Sequence, residues 1–163
     1  MRRLSASVAA TAVMALAGAC GGQPPAPTIE DPRFARQAEQ ICARDLQPLR
    51  ADLSDDEPRQ PAEVAPTIEA RAASLEVLAR KLRALRVQDA ARPEVDNWLA
   101  DWRRYIEVGR RYADALRGGD PDRYSAVADE GLEPQARISA FARTNGFDSC
   151  ALDGVRLPPR EGL

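Results

Sequence analysis

The chain has 163 residues, 44% hydrophobic and 29% charged, a composition that suits one globular domain and excludes wholesale disorder. Its 23 basic residues face 25 acidic ones and there is no histidine, so a nucleic-acid-binding field and the commonest general base and metal ligand are both missing. Lys81 is the only lysine, a bias that reflects high-GC coding rather than phosphate binding.

Residues 1–19 have the anatomy of a secretion signal. Arg2 and Arg3 make a positive start, and Ala6 to Ala17 is an uncharged apolar run too short to anchor as a bilayer span. Leu16-Ala17-Gly18-Ala19 then sets small side chains before Cys20, as the narrow pockets of a signal peptidase require. The run resembles the lipobox of bacterial lipoproteins, with its leucine one position earlier than usual. Ala17-Gly18-Ala19 also satisfies an ordinary A-x-A cleavage site. Cysteine arithmetic bears on the choice: three cysteines are an awkward number in an oxidising compartment. If Cys20 carries lipid, Cys42 and Cys150 remain as one disulfide pair, and the count closes only on the lipoprotein reading. Removal of the leader leaves 21 of the 23 basic side chains against 25 acidic ones, so the mature chain is mildly acidic.

Residues 20–30 are expected to form the lipidated Cys20 and a flexible tether. The prolines of Gly21 to Thr28 favour an extended chain, with a reach of roughly 30 Å. A four-helix domain is expected over 31–151, and a C-terminal tail over 152–163.

The first helix starts at Asp31-Pro32, a cap followed by proline, and carries Phe34, Ala38, Ile41, Cys42, Leu46, Leu49 and Leu53 on one face. Pro48 is expected to kink it or end it early. After the acidic loop 54–65, the second helix is placed from Pro66, with Ile68, Ala72, Leu75, Leu78, Ala79, Leu82 and Leu85 inward. The third begins near Pro93 and gathers Val95, Trp98, Leu99, Trp102, Tyr105, Ile106, Gly109, Tyr112, Ala113 and Leu116 into one arc, ending at Gly118-Gly119. Asp120-Pro121 opens the fourth, which Pro134 is expected to bend and Asn145-Gly146 to close. No strand-period alternation appears, so the fold class is all-α: an up-down-up-down four-helix bundle with one disulfide, behind a signal peptide and a flexible tether.

Without histidine there is no Ser-His-Asp or Cys-His nucleophile, and without a CxxC pair or a glycine-rich lysine loop there is no redox, zinc or phosphate motif. No catalytic residue, metal or cofactor is assigned. The acidic residues Asp52, Asp55, Asp56 and Glu57 lack the spacing and glycine of a calcium loop. The aromatic stripe Trp98, Trp102, Tyr105 and Tyr112 reads as bundle core, or else as the lining of a pocket for a hydrophobic ligand. Arginines on the outer face of the third helix alternate with Asp101, Glu107 and Asp114, which reads as a self-neutralised surface. Asp45 breaks the apolar arc of the first helix and Arg71 that of the second, so the two are expected to form a partly buried ion pair that sets helix register.

The pattern Phe34-x3-Ala38-x2-Ile41-Cys42, with Gly146-Phe147-x2-Cys150 near the end, resembles small helical lipoproteins of high-GC bacteria. Trp98, Trp102 and Gly119-Asp120 match their aromatic middle helix and the start of their last one. The resemblance implies a helical scaffold with one bridge and carries no reaction and no catalytic residues. The functional expectation is a non-enzymatic binding or structural module, lipid-anchored through Cys20 to the outer face of a bacterial membrane. Its partner would be an envelope protein or polymer, not nucleic acid. The alternative is a carrier or sensor of a hydrophobic ligand held among the aromatics of the third helix.

Overall fold

Five α-helices and two short 3-10 turns make up the computed structural model, which describes residues 25–51 and 60–155. The leader, Cys20, residues 52–59 of the acidic loop and the chain beyond 155 lie outside the described residues. Among the described residues every regular element is helical.

Helix α1 (Pro32–Ala51) is capped by Asp31, whose Oδ1 accepts the Phe34 amide at 3.0 Å. It runs through Pro48 instead of stopping there. The carbonyl that loses its partner belongs to Arg44, and both residues lie on the exposed side, where water can take the place of the lost donor.

Helix α2 (Pro61–Arg83) begins more than a turn before Pro66. Gln60 caps it, its amide donating to Glu63 Oε2 at 3.2 Å, and Pro61 takes the first helical position. A 3-10 turn at Asp89–Ala91 leads into α3 (Arg92–Gly118), which ends on Gly119 in the left-handed region at φ 69°. Every residue of the expected arc on α3 is buried, and Val108 and Ala115 are buried beside them. That breadth makes α3 the central helix, contacted by α2, α4 and α5.

The expected fourth helix is two helices. Asp120 caps α4 (Pro121–Glu130) by accepting the amides of Asp122 and Arg123. The chain then turns at Gly131 into α5 (Leu132–Thr144). Pro134 causes the break three residues upstream of itself. It has no N–H for the Glu130 carbonyl and its ring crowds that group, so α4 ends at Glu130 and Pro134 falls in the first turn of α5, where no donor is needed.

Side-chain pairs show how the helices run. Glu69 meets Arg117 and Glu76 meets Arg110, so α2 and α3 are antiparallel. Arg111 meets Glu130, Arg104 meets Glu133 and Asp101 meets Arg137, so α4 and α5 together descend α3. The arginines of α3 are thus neutralised largely by neighbouring helices and not mainly within their own.

After α5, Gly146 turns the chain at φ 72° into a 3-10 turn at Asp148–Cys150 that α1 grips. The Cys42–Cys150 disulfide joins the two elements across 108 positions of sequence. Arg50 donates to the carbonyls of Ser149 (2.8 Å) and Ala151 (2.9 Å), and Glu39 accepts the Ser149 amide at 2.9 Å. Leu152 and Val155 are fully buried, so the domain extends past the boundary expected at 151. Each such apolar side chain removed from water contributes roughly 1.5–3 kcal/mol.

Candidate functional site

The four aromatic residues of α3 do not line one pocket. Trp98 and Trp102 meet edge to face with centroids 6.0 Å apart, within a ring cluster that includes Phe34, Phe141 and Phe147. Tyr105 is buried beyond them, its hydroxyl donating to the Val155 carbonyl at 2.6 Å. Burial pushes its pKa up to about 12, against a small opposing effect of the nearby Arg71 charge. Tyr112 belongs to a separate core, edge-on to Tyr124 at 6.4 Å, and burial raises its pKa to about 12 as well. Of the four, Trp98 borders the groove between α3, α5 and the chain before α1.

Asp45 and Arg71 are not brought together. Asp45 is held by Arg44 and by Lys81, each at 2.7 Å, with 16% of its side chain exposed. Its pKa is lowered, first by the hydrogen bond from Arg44, with Lys81 adding to the effect and partial burial opposing it. Arg71 is buried on α2, near Tyr105. The displacement follows from where α1 crosses. Asp31 Oδ2 accepts the Gln88 amide at 2.8 Å and Asp45 lies beside Lys81, so α1 packs on the last turns of α2. Arg71 is nearly three turns, roughly 15 Å, farther along.

The groove lies between α3, α5 and the chain that precedes α1, with a volume of about 280 Å³. Trp98, Phe141 and Ala140 form its helical wall, and Pro25, Ala26 and Pro27 face them. Glu94, Asn97, Asp101 and Arg137 supply the polar part. Trp98 donates its indole N–H to the Ile138 carbonyl at 3.2 Å, which leaves the carbon body of the ring to the wall. Trp98 and Phe141 are stacked, with centroids 5.6 Å apart. Asp101 holds Arg137 through both of its oxygens, at 2.6 to 3.0 Å, and Glu133 holds the other side of the guanidinium. Arg137 is accordingly raised above its ordinary pKa, first by the hydrogen bond to Asp101.

The wall formed by residues 25–27 is docked by one side chain. Asn145 Oδ1 accepts the Ile29 amide at 2.7 Å, and its Nδ2 donates to the Pro27 carbonyl at 3.0 Å. The same amide nitrogen bonds the Phe141 carbonyl one turn back, which fixes the rotamer. A carboxamide bridging the carbonyl of one residue and the amide of the second residue on holds an extended chain whatever its side chains. Ala26 and Ile29 pack against the main core. The last part of the expected flexible tether is therefore a strap on the domain. Sequence reasoning assigned Asn145 only to helix termination; nothing local marks it as the partner of residues more than a hundred positions earlier. Glu94, Asn97 and Arg137 were likewise passed over, because each is one polar residue on a solvated helix face.

The site holds the edges of two nearly buried rings, a guanidinium held by two carboxylates, and the carboxylate of Glu94. No protein-family model, no curated protein and no solved structure matches the chain.

Proposed function

We propose that the protein is a membrane-tethered module of the bacterial cell envelope that acts by binding or structural support, not by catalysis. The observation that carries this reading is the cysteine count. Of three cysteines, Cys42 and Cys150 are consumed by the bridge, which leaves Cys20, set directly behind Ala17-Gly18-Ala19, as the odd thiol that acylation would use. On this reading residues 1–19 are a cleaved signal peptide and the acyl chains enter the outer face of a bacterial membrane. No described helix is long and apolar enough to cross a membrane. We read the helix order as up-down-up-down, with α4 and α5 as one broken arm; the antiparallel ion pairs of α2 with α3 and of α3 with α5 support it. The partner would be an envelope protein or polymer.

The carrier alternative, with a ligand among Trp98, Trp102, Tyr105 and Tyr112, would need an opening between rings that are buried in two different cores, which weighs against it. The test of the anchor is direct. Labelled fatty acid should appear on the exported wild type and vanish in Cys20→Ser, which should move to the soluble fraction. Full membrane retention of Cys20→Ser overturns the lipoprotein reading.

A further inference from the structure

The strap is a small two-state element. Asn145 bonds the Ile29 amide and the Pro27 carbonyl, and Ala26 and Ile29 pack partly buried against the main core. Pro25, Pro27 and Thr28 are exposed. With so few buried contacts the strap opens without the domain unfolding. Two properties favour the closed form. Pro25 and Pro27 restrict the backbone of the released strap, so docking costs less conformational entropy. Asn145 needs no reordering, because its bond to the Phe141 carbonyl already fixes the side chain.

Position gives the strap its consequence. Pro25 to Pro27 lie against residues 94–101 of α3 and 137–141 of α5, so this is where the chain from Cys20 arrives. Cys20 is five residues before Pro25 and eleven before Asp31, which caps α1. A chain spans at most about 3.3–3.6 Å per residue, so the closed strap limits the leash to roughly 17 Å and its release extends the limit to roughly 38 Å. A folded domain of this length is roughly 35 Å wide, so the difference decides how freely it turns above the membrane.

We propose that the Asn145 clasp sets the length of the lipid leash, holding the flank of α3 and α5 beside Pro25 towards the bilayer until the strap opens. The proposal rests on acylation of Cys20, as the proposed function does. With the strap closed, the lipid surface is the nearest partner of that flank. With the strap open, the domain turns about a longer chain and the preference is lost.

The test uses the exported, acylated full chain in vesicles of phosphatidylethanolamine and phosphatidylglycerol that carry an acceptor dye on the headgroups. Ala136→Cys supplies the donor site, since Ala136 is exposed on α5 one turn before Ala140 of the groove wall. Asn145→Ala removes both strap bonds at a position whose φ of −108° suits any residue, and energy transfer to the surface should fall about twofold. Inserting six Gly-Ser residues after Gly22 lengthens the leash without touching the clasp and should lower transfer to the same extent. Methyl NMR reads the clasp itself. The Ala26 and Ile29 methyl signals should move towards random-coil positions in Asn145→Ala and stay in place in the insertion variant, with the buried Trp102 indole unmoved in both. Unchanged transfer in Asn145→Ala while those methyl signals move overturns the leash, and methyl signals that do not move overturn the clasp. The methyl readout is repeated in Cys20→Ser, where no acyl chain is present. A wild type that never joins the vesicles, with the clasp intact by this readout, marks failure of the anchor and is thereby told apart from failure of the clasp.

Discussion

The two ends of α3 are held by different physics. Its N-terminal half lies in a core where Phe34, Trp98, Trp102, Phe141 and Phe147 touch one another and α1, α5 and the 3-10 turn converge. That core is stapled by Cys42–Cys150 and tied by long-range bonds to backbone from Asp31, Asn145, Ser139 and Trp98. Its C-terminal half packs on the start of α2 and on the ten-residue α4, through a small core of Ile68, Tyr112, Leu116, Tyr124 and a few alanines. Around this second core the outer links include exposed ion pairs, Arg117 with Glu69 and Arg111 with Glu130. Such pairs contribute roughly 0–1 kcal/mol each. A buried side-chain bond to a distant backbone group holds one geometry, whereas a half-exposed ion pair exchanges with water at little cost. The groove and the strap stand on the stapled half, where a binding geometry can be kept.

The sharpest way to break this contrast is to remove the staple. Replacing both cysteines, Cys42→Ala with Cys150→Ala, reopens a loop of 108 positions and should cost about 4 kcal/mol in urea unfolding. A loss below about 1 kcal/mol, the size of a surface ion pair, would mean the two halves are equally secured. Next in size is the difference in local opening. Native-state hydrogen exchange should find the amides of α4 opening at a free energy about 2 kcal/mol below those in the middle of α3. Uniform protection along α3 and α4 would erase the distinction. The smallest effect concerns Asp31, which is buried and both caps α1 and clamps Gln88. Burial alone would raise its pKa, but the amides of Gln88, Phe34 and Arg33 outweigh that and hold it below the usual carboxylate range. Its stabilisation is therefore complete above the unfolded-state value, near pH 4, and fades as pH falls through the lower folded-state value. Asp31→Ala should cost about 1 kcal/mol at neutral pH. Asp31→Asn should retain most of the cap and flatten the acid dependence, and an unaltered acid limb in that variant would remove Asp31 from the account.

Much of this architecture is written locally. Asp31-Pro32 and Asp120-Pro121 start helices where cap and proline chemistry place them, and Gly119 ends α3 because only glycine enters the left-handed region cheaply. The α3 stripe is a matter of period and is buried throughout. Proline was the least legible signal: Pro48 rides within α1, Pro66 within α2, and Pro134 breaks the chain upstream of itself. In each case the outcome turns on whether the deprived carbonyl faces water, lies in a first turn or borders a glycine.

The Cys42–Cys150 pairing is legible from counting thiols only once Cys20 is set aside, and the helical class from period and caps; both are read from the chain one segment at a time. Which residues face each other across helices is not such a property. A helical wheel places Asp45 and Arg71 on inward arcs, but where α1 crosses α2 is set by the fit of Phe34, Ala38 and Cys42 against the rest of the core, and that fit delivers Asp45 to Lys81. The same holds for the strap. Nothing in Pro25-Ala26-Pro27 or in Asn145 alone predicts their meeting, because the hydrogen bonds joining residues 27 and 29 to 145 exist only once the 3-10 turn has packed against both α1 and α5 and brought two distant parts of the chain within 3 Å.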